Sequence, residues 1–507
     1  MRVTNSMIYG NAMNNIWRNA RHLNNLVTQI ETGKRINRPS DDPLLSSRSL
    51  RYRTILAEAE QFSRNVHQGM AWMEVSEAAF NSVLTGSPTT PSLMNRIYTR
   101  LVEAAQTGTN TLEDQRAILA ELRQYFDQMF GVDMNQTYLG RYVFSGFHTD
   151  QPPVLKTDWP GRSFIINQEF IPTDIERTIA FHRPDVTAMP VDMYINVIKL
   201  PFTDVNFDFD TSAITGAPPQ IGITLADGTV LQVLTRVSSD ADAYNPDDFI
   251  GDPPVPVIHH VSDTGELIVS DAVRELIDIA GGISVTYEKR NLVAGELNPI
   301  VYFRSAELLN LEFDANGDAI GGEAVHFSTE GQNIQMEISP NAYITINSHA
   351  RNVLTANLFS DLRRLFDFAD SLQLSDPTLI REYFRSQHNH TGDDLINAVD
   401  EFLSDEKAKF SAAMHNRINN MLKNIMQHAA QAQREHTNLG SRMARLEMIG
   451  IRLEEDETAY TSLLSENEDT DLAGTIMRKA GAEAAFGHAL FAIAKTTQLS
   501  LADFINR

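Results

Sequence analysis

Between Lys407 and Tyr460 an apolar or small residue returns at every seventh position: Ile418, Ile425, Ala432, Leu439, Leu446, Leu453 and Tyr460. A repeat of seven keeps one stripe facing the same way along a helix. No proline interrupts the run, and its only glycines are Gly440 and Gly450. The segment predicts a helix of about 55 residues, roughly 80 Å at 1.5 Å per residue. Propensity does not hold such a rod in water, so the stripe needs a packing partner. A single helix of an ordinary globular core is the competing reading, and a heptad sustained this long favours a coiled coil or bundle. The second track is broken. Met414, Met421, Ile449 and Leu463 fit it, while His428, Glu435, Arg442 and Asp456 do not. That mixture argues against a plain two-stranded zipper and for a seam whose partners change along its length.

A second heptad runs from Leu44 to Val83. One track is Tyr52, Ala59, Val66, Met73 and Phe80; the other is Ile55, Phe62, Gly69, Ser76 and Val83. Before it, residues 5–32 form an amphipathic pattern through Ile16, Leu23, Leu26 and Ile30, weakened by many asparagines. Gly33 can take the left-handed cap, and Ser40, Asp41 or Asp42 can cap the helix that opens at Pro43. Residues 85–91 break the long helix. Thr111 and Asp114 have capping-box spacing before a helix carrying Leu122, Phe126 and Met129. Arg141 to Phe147 is strand-like, with Gly146 at a turn or bulge.

From about 155 to 350 the segments are short, β-branched and punctuated by Asp, Gly and Pro. Ile221–Leu225 and Val230–Leu234 around Asp227-Gly228 signal a hairpin. Strands are expected at 333–338 and 343–346, and helices at 270–280 and 289–296. Residues 201–257 hold nine Asp, no Glu and one basic residue, Arg236, a local net charge of −8. This stretch reads as surface loops on an α+β or mainly β module. Helical patterning returns at Asn352, with Leu354, Leu358, Leu362 and Phe366 on one face. After a loop at 385–392, a helix starting at Asp393 can run into the long one, which ends or kinks at 465–470. A last helix carries Leu472, Ile476, Phe486, Leu490 and Ile493. Long helices on both sides of an inserted module pair most simply antiparallel. The expected fold class is therefore multidomain: a long α-helical coiled-coil or bundle rod from the N- and C-terminal segments, with an inserted mainly β or α+β domain.

The chain of 507 residues carries a net charge of −24, which disfavours sequence-independent nucleic-acid binding and attachment to anionic membranes. It has no cysteine, so disulfides and thiolate chemistry are excluded. No apolar run approaches a membrane span, and Met1–Arg21 lacks the apolar core of a cleaved signal peptide. Chemical motifs are equally sparse. His259-His260 and His388/His390 lack convergent carboxylates for a metal site. Asp314 to Asp318 starts like a calcium loop, but position 12 would be Val325; an Asn-Gly turn fits better. Asp41 and Asp42 read as caps or partners of Arg35 or Arg38, and the run SENEDTD at 465–471 as a solvated face or cap. Arg48, Arg51 and Arg53 read as solvated positions or assembly ion pairs. No catalytic, cofactor-binding or metal-ligating residue is assigned, and no enzyme is expected.

Three blocks of sequence carry a resemblance. The first is MRVTNSMIYGNAMNNI at the N-terminus with TGKRINRPSDDP at 32–43. The second is GRYVFSGFHTDQPP at 140–153 with ISPNAYITINSHARNVL at 338–354. The third is residues 441–505, from SRMARLEMIGIRLEEDE to LSLADFI. In this order they resemble the flagellin superfamily, and within it the hook-filament junction branch, the hook-associated protein 3 family. Pro43-Leu44-Leu45 after the paired aspartates, the Arg2-containing start and the ending Leu499 to Ile505 lean to that branch over flagellin itself. The middle module is larger than is common there.

The resemblance implies three layers: 1–35 with 470–507 as a terminal coiled coil, 36–150 with 345–469 as a helical rod domain, and 155–335 as an outward-projecting inserted domain. It implies a structural role, joining the bacterial flagellar hook to the flagellin filament. The implied partners are hook-associated protein 1 on the hook side, flagellin on the filament side, copies of itself in a ring, and an export chaperone on the C-terminal region. Nucleic acid and membrane insertion are not among them. The implied location is extracellular, at the hook-filament junction, reached by type III export without a cleaved signal. The alternatives are a flagellin-type filament subunit, a coiled-coil surface adhesin, and an enzyme hidden in 155–335, which would need a concave pocket with convergent titratable groups.

Overall fold

The structure, a computed structural model, describes residues 5–86, 90–106, 111–182, 188–245, 249–251, 254–313, 319–387 and 390–505. The helices are α1 Asn5–Thr32, α2 Pro43–Phe80, α3 Leu93–Ala104, α4 Leu112–Asp127, α5 Asp271–Ala280, α6 Pro299–Tyr302, α7 Ala350–Val353, α8 Ala356–Ser371, α9 Pro377–Gln387, α10 Asp393–Glu468 and α11 Leu472–Ile505. The strands are β1 Thr137–Tyr138, β2 Arg141–Tyr142, β3 Trp159–Phe170, β4 Glu176–His182, β5 Val191–Lys199, β6 Val205–Asn206, β7 Gly222–Leu225, β8 Val230–Arg236, β9 Phe249–Ile250 and β10 Val255–Val261. They continue with β11 Glu266–Val269, β12 Ile283–Leu292, β13 Arg304–Phe313, β14 Ala319–Phe327, β15 Gln335–Ser339 and β16 Ala342–Thr345. The fold class is the expected one, long helices from both ends of the chain and an inserted α+β module. The helix expected to start at Asp393 and the heptad helix are one element of 76 residues.

The chain divides into two compact units. The first comprises Met1–Gln68, Glu337–Tyr343 and Arg445–Arg507. In it Gly33 closes α1 with φ +69°, and Asp42 caps α2 by accepting the amides of Leu44 and Leu45 at 3.1 Å. Asp41 accepts the amides of Asn37 and Arg38. Both aspartates thus bond to backbone rather than forming the expected ion pairs with Arg35 or Arg38. The end of α10 runs antiparallel to the start of α2, with the Tyr52 and Tyr460 rings 6.4 Å apart. Ala59, Val66, Leu446 and Leu453 are buried there. Each heptad stripe has its partner in the other.

The second unit comprises Gly69–Met336 and Ile344–Ala444. The heptad residues Ile418, Ile425, Ala432 and Leu439 are all buried. Phe80 stacks on His436 at 5.2 Å and meets Phe144 edge-on at 6.0 Å. Phe126 and Phe130 close on Phe359 of α8 at 5.2 and 5.1 Å. Two polar positions of the broken second track, Arg442 and His428, face non-helical backbone and α8 respectively. Arg442 donates to the carbonyls of Thr345 and Asn347 and to the Ser348 hydroxyl, and is 3.5 Å from Glu435. His428 approaches Asp361 of α8 at 3.4 Å and Thr355 at 3.1 Å. A hydrocarbon side chain at Arg442 would take this donor from the Thr345 and Asn347 carbonyls.

The inserted module is one sheet of order β14-β13-β3-β12-β7-β8-β10-β11-β5-β4, with β6 on β12 and β9 on β10, among the described residues. The β8–β10 pair is parallel and every other described pair is antiparallel. The expected hairpin at 221–234 is β7–β8, and the expected 333–346 strands are β15–β16. The helix expected at 289–296 is instead the end of β12, which β3, β6 and β7 hold from both sides, followed by a turn at 293–296. Arg141–Phe147 contributes only the two-residue strand β2, and Gly146 sits in a turn at φ +61°. The 201–257 stretch is not mere surface loop. Val205, Phe207 and Phe209 point inward while Asp208 and Asp210 point out. Phe209 and Ile214 join Ile165, Ala306 and Leu308 in a core. A net charge averaged over the stretch conceals this period of two.

Asp133, at the end of the π-turn Gln128–Asp133 after α4, is buried and accepts one hydrogen bond, from Ser82 at 3.0 Å. Burial pushes its carboxyl up to about 6. Unfolded, it titrates near about 4. The folded chain therefore holds the extra proton between those values, and this group costs stability as pH rises through 6. Asp133→Asn should raise stability at pH 7 by up to about 2–3 kcal/mol and leave it unchanged near pH 4. Urea unfolding at both pH values checks this; an equal effect at both would refute it.

Candidate functional site

The terminal helices α1 and α11 pair antiparallel, joined where both turn back. Lys34 and Asp469 form a bridge, Thr470 donates its amide to the Gly33 carbonyl at 3.0 Å, and Arg35 donates to the Glu468 carbonyl at 2.5 Å. Glu468 lies beneath this crossing, with its side chain 5% exposed, and pairs with Arg53 at 2.8 Å and Lys34 at 3.5 Å. Burial alone would raise its carboxyl; the Arg53 bond and the two positive charges hold it lower than usual. The run 465–471 is therefore only partly a solvated face. Glu468 is a buried node, and Asp471 opens α11 by accepting the Gly474 amide at 3.1 Å. Arg53 is an ion-pairing residue within the chain.

The pair buries little. Among the described side chains of α1 only Leu26 is fully enclosed, and Ile16, Leu23, Val27 and Ile30 are half-buried along one face. On α11, Thr475, Lys479, Ala482, Phe486, Ala489 and Ile493 form the covered stripe, spaced alternately four and three residues apart. The five large residues that the sequence places on this last helix fall on two faces. Phe486 and Ile493 lie on the covered stripe, whereas Leu472, Ile476 and Leu490 face solvent with Met477 and Phe491. Phe491 and Met477 are each 71% exposed, and on α1 Met13 and Trp17 are exposed by more than half. Large apolar side chains left exposed in this number on a helix pair mark an interaction surface.

The other sequence candidates are not brought together. His259 and His260 are fully buried in β10, and burial lowers the His260 imidazole to about 4. His388 and Asp314–Asp318 lie outside the described residues, as do residues 87–89 of the break at 85–91. Among the described residues no group of three His, Asp or Glu could hold a metal ion, and no helix is long and apolar enough to cross a membrane.

Residues 3–149 match the bacterial flagellin N-terminal helical region. The chain is 26% identical over 153 residues to flagellar hook-associated protein 3 of Salmonella typhimurium, covering 30% of this chain and 46% of that protein. It is 23% identical over 275 residues to flagellar hook-associated protein 3 of Escherichia coli, covering 50% of this chain and 83% of that protein. It thus spans about half the length of the first relative and most of the second. The solved flagellar junction protein FlgL from Legionella pneumophila aligns over 84% of this chain and 100% of its own, at 13% identity and a TM-score of 0.30. Residues 3–149 are thus similar to the flagellin-type N-terminal helical region. The resemblance to the hook-associated protein 3 branch stands, since the curated relatives named here carry that description.

Proposed function

We propose that this chain is a structural junction subunit of the bacterial flagellum, joining the hook to the flagellin filament. The observation that carries the reading is the uncovered apolar face of the terminal helix pair, together with relatives that are flagellar hook-associated proteins. In this reading 1–35 with 470–507 is the layer completed by neighbouring subunits in a ring, 36–150 with 345–469 is the rod, and 155–335 projects outward. Hook-associated protein 1 and flagellin are the neighbours at the two ends, an export chaperone holds the C-terminal region before assembly, and the protein leaves the cell without a cleaved signal. Its work is mechanical and not catalytic.

Phe491→Asp tests the reading. Phe491 is exposed in the single chain, so the purified variant should melt like the wild type. In cells the variant should be exported yet fail to hold filament, with flagellin lost to the medium and hooks intact. Normal filaments on the variant would refute the proposal. Fractionated flagella separate the junction from a filament subunit: few copies at the hook end support it, and copies along the whole filament overturn it.

A further inference from the structure

The first unit carries two exposed rows of side chains that nothing in the same chain answers. On α2, Leu44, Arg48 and Arg51 stand four and three residues apart, so they share one strip of the helix. Leu44 is 63% exposed, and both arginines are exposed and form no ion pair among the described residues. Near the end of α10, Glu447, Ile451 and Glu454 repeat the same spacing. Ile451 is 54% exposed, and both glutamates are exposed and likewise unpaired among the described residues. Helical geometry fixes where the rows point, since each residue turns the helix by about 100°. Followed from N- to C-terminus, the arginine row of α2 lies about a quarter-turn to one side of the contact stripe Tyr52, Ala59 and Val66. The glutamate row of α10 lies about a quarter-turn to the other side of Leu446 and Leu453. The two helices run antiparallel, with Tyr52 on Tyr460 and Asn467 bonded to Leu45 and Ser49. In an antiparallel pair, flanks of the same sense share a face and flanks of opposite sense lie on opposite faces. The arginine row and the glutamate row therefore look out from opposite faces of the α2–α10 pair.

The other charges on each face do not cancel these rows. Beside the glutamates, Arg53 and Arg64 are taken by Glu468 at 2.8 Å and Glu60 at 3.7 Å. Beside the arginines, Arg452 is matched by Asp456 at 3.8 Å, and the exposed Arg445 offsets Glu58. A chain that is positive on one face and negative on the other, with rows of equal spacing, is complementary to its own copy. We propose that a second copy of this chain covers each row, the arginine row of one copy lying on the glutamate row of the next. With the copies parallel, α2 of one meets α10 of the next antiparallel. Leu44 then faces Ile451, and four residues on, Arg48 faces Glu447; Arg51 and Glu454 extend the charged strips. Each contact leaves one free row at either end, so it propagates from copy to copy into a ring or a helical array. This inference deepens the proposed function: it rests on the self-assembly in that reading and not on the place at the hook.

The chain has no cysteine, so single introduced thiols report the contact cleanly. Leu44→Cys and Ile451→Cys change exposed positions and should melt like the wild type. The full-length variants, alone and mixed in equal parts, are treated with a short bis-maleimide at high protein concentration. Flagella from cells that express either variant or both are treated in the same way. The two variants together should give a cross-linked dimer, in concentrated solution or in flagella, and neither variant alone should give one. Adding Arg48→Glu to the Leu44→Cys chain should cut the product several-fold, and adding Glu447→Lys to the Ile451→Cys chain as well should restore it. No dimer in either setting, a dimer from one variant alone, or a loss that the second reversal does not restore would each overturn the proposal. A dimer found in fractions from the whole length of the filament would keep this contact and sink the junction reading instead.

Discussion

Leu446→Asp should unfold the first unit and leave cells with hooks but no filaments, whereas Glu455→Ala should do neither. Leu446 is 0% exposed on the unbroken heptad track of α10, in the unit where the end of α10 meets the start of α2. Leu446→Ala removes the packed side chain and leaves a cavity, about 2–5 kcal/mol for a fully buried leucine. A carboxylate there must be desolvated without a partner or force the helices apart, which costs more. Leu453, one heptad on, is 9% exposed, so its alanine variant should fall at the lower end of that range. Glu455 lies off the stripe and faces solvent. Thermal unfolding must therefore rank Leu446→Asp, Leu446→Ala, Leu453→Ala and Glu455→Ala in falling severity. The cellular arm is separate. If Leu446→Asp melts early and filaments still attach, the helix pairing survives and the junction role fails.

The heptads were legible because burial at intervals of seven leaves its mark on one residue type. Ile418 through Leu453 are apolar and buried without exception. Caps were legible for a similar reason: Asp42, Gly33 and the Thr111–Asp114 box each act through their own nearest backbone. What escaped the sequence depends on distant partners. His428 and Arg442 looked like defects in a seam because their acceptors, Asp361 and the 345–347 carbonyls, lie some 65 to 100 residues away. The face of α11 that holds Phe486 and Ile493 differs from that of Leu472 and Leu490 by how α1 docks. An alanine-rich helix offers too few large residues to choose between the two faces. The aspartate-rich stretch was misread because its charges and its buried phenylalanines alternate within one strand period. The unpaired Nε–H groups of Arg364 and Arg417 arise where the β-sheet, α8 and α10 meet, and no local spacing announces them.

Lys199→Met should destabilise the second unit by about 3–5 kcal/mol at pH 7, and the deficit should shrink on acidification. Lys199, at the end of β5, is 13% exposed and lies between Glu176 of β4 and Asp361 of α8, with Asp361 at 3.1 Å. Asp361 also accepts from Asn424 at 2.9 Å, with His428 beyond at 3.4 Å. Burial would raise the Asp361 carboxyl, but Lys199 and His428 outweigh it and bring it to about 2. Its unfolded value is about 3.9. A depressed carboxyl contributes stability that is full above the unfolded value and is lost as pH falls through the folded one. In the wild type this group therefore adds about 2–3 kcal/mol at neutral pH, lost between about pH 4 and 2. Without the lysine, Asp361 and Glu176 are a buried like-charge pair, and the pair should take up a proton well above pH 4. Acid then relieves the variant over the range in which the wild type is unchanged. Lys199→Met combined with Asp361→Leu and Glu176→Gln should recover much of the loss, because replacing a buried ionic cluster as a whole is often close to neutral. Chemical unfolding of the three proteins at pH 7 and pH 4.5 decides it. A single-variant loss below about 1 kcal/mol, or one that does not change with pH, would mean that solvent already screens this cluster.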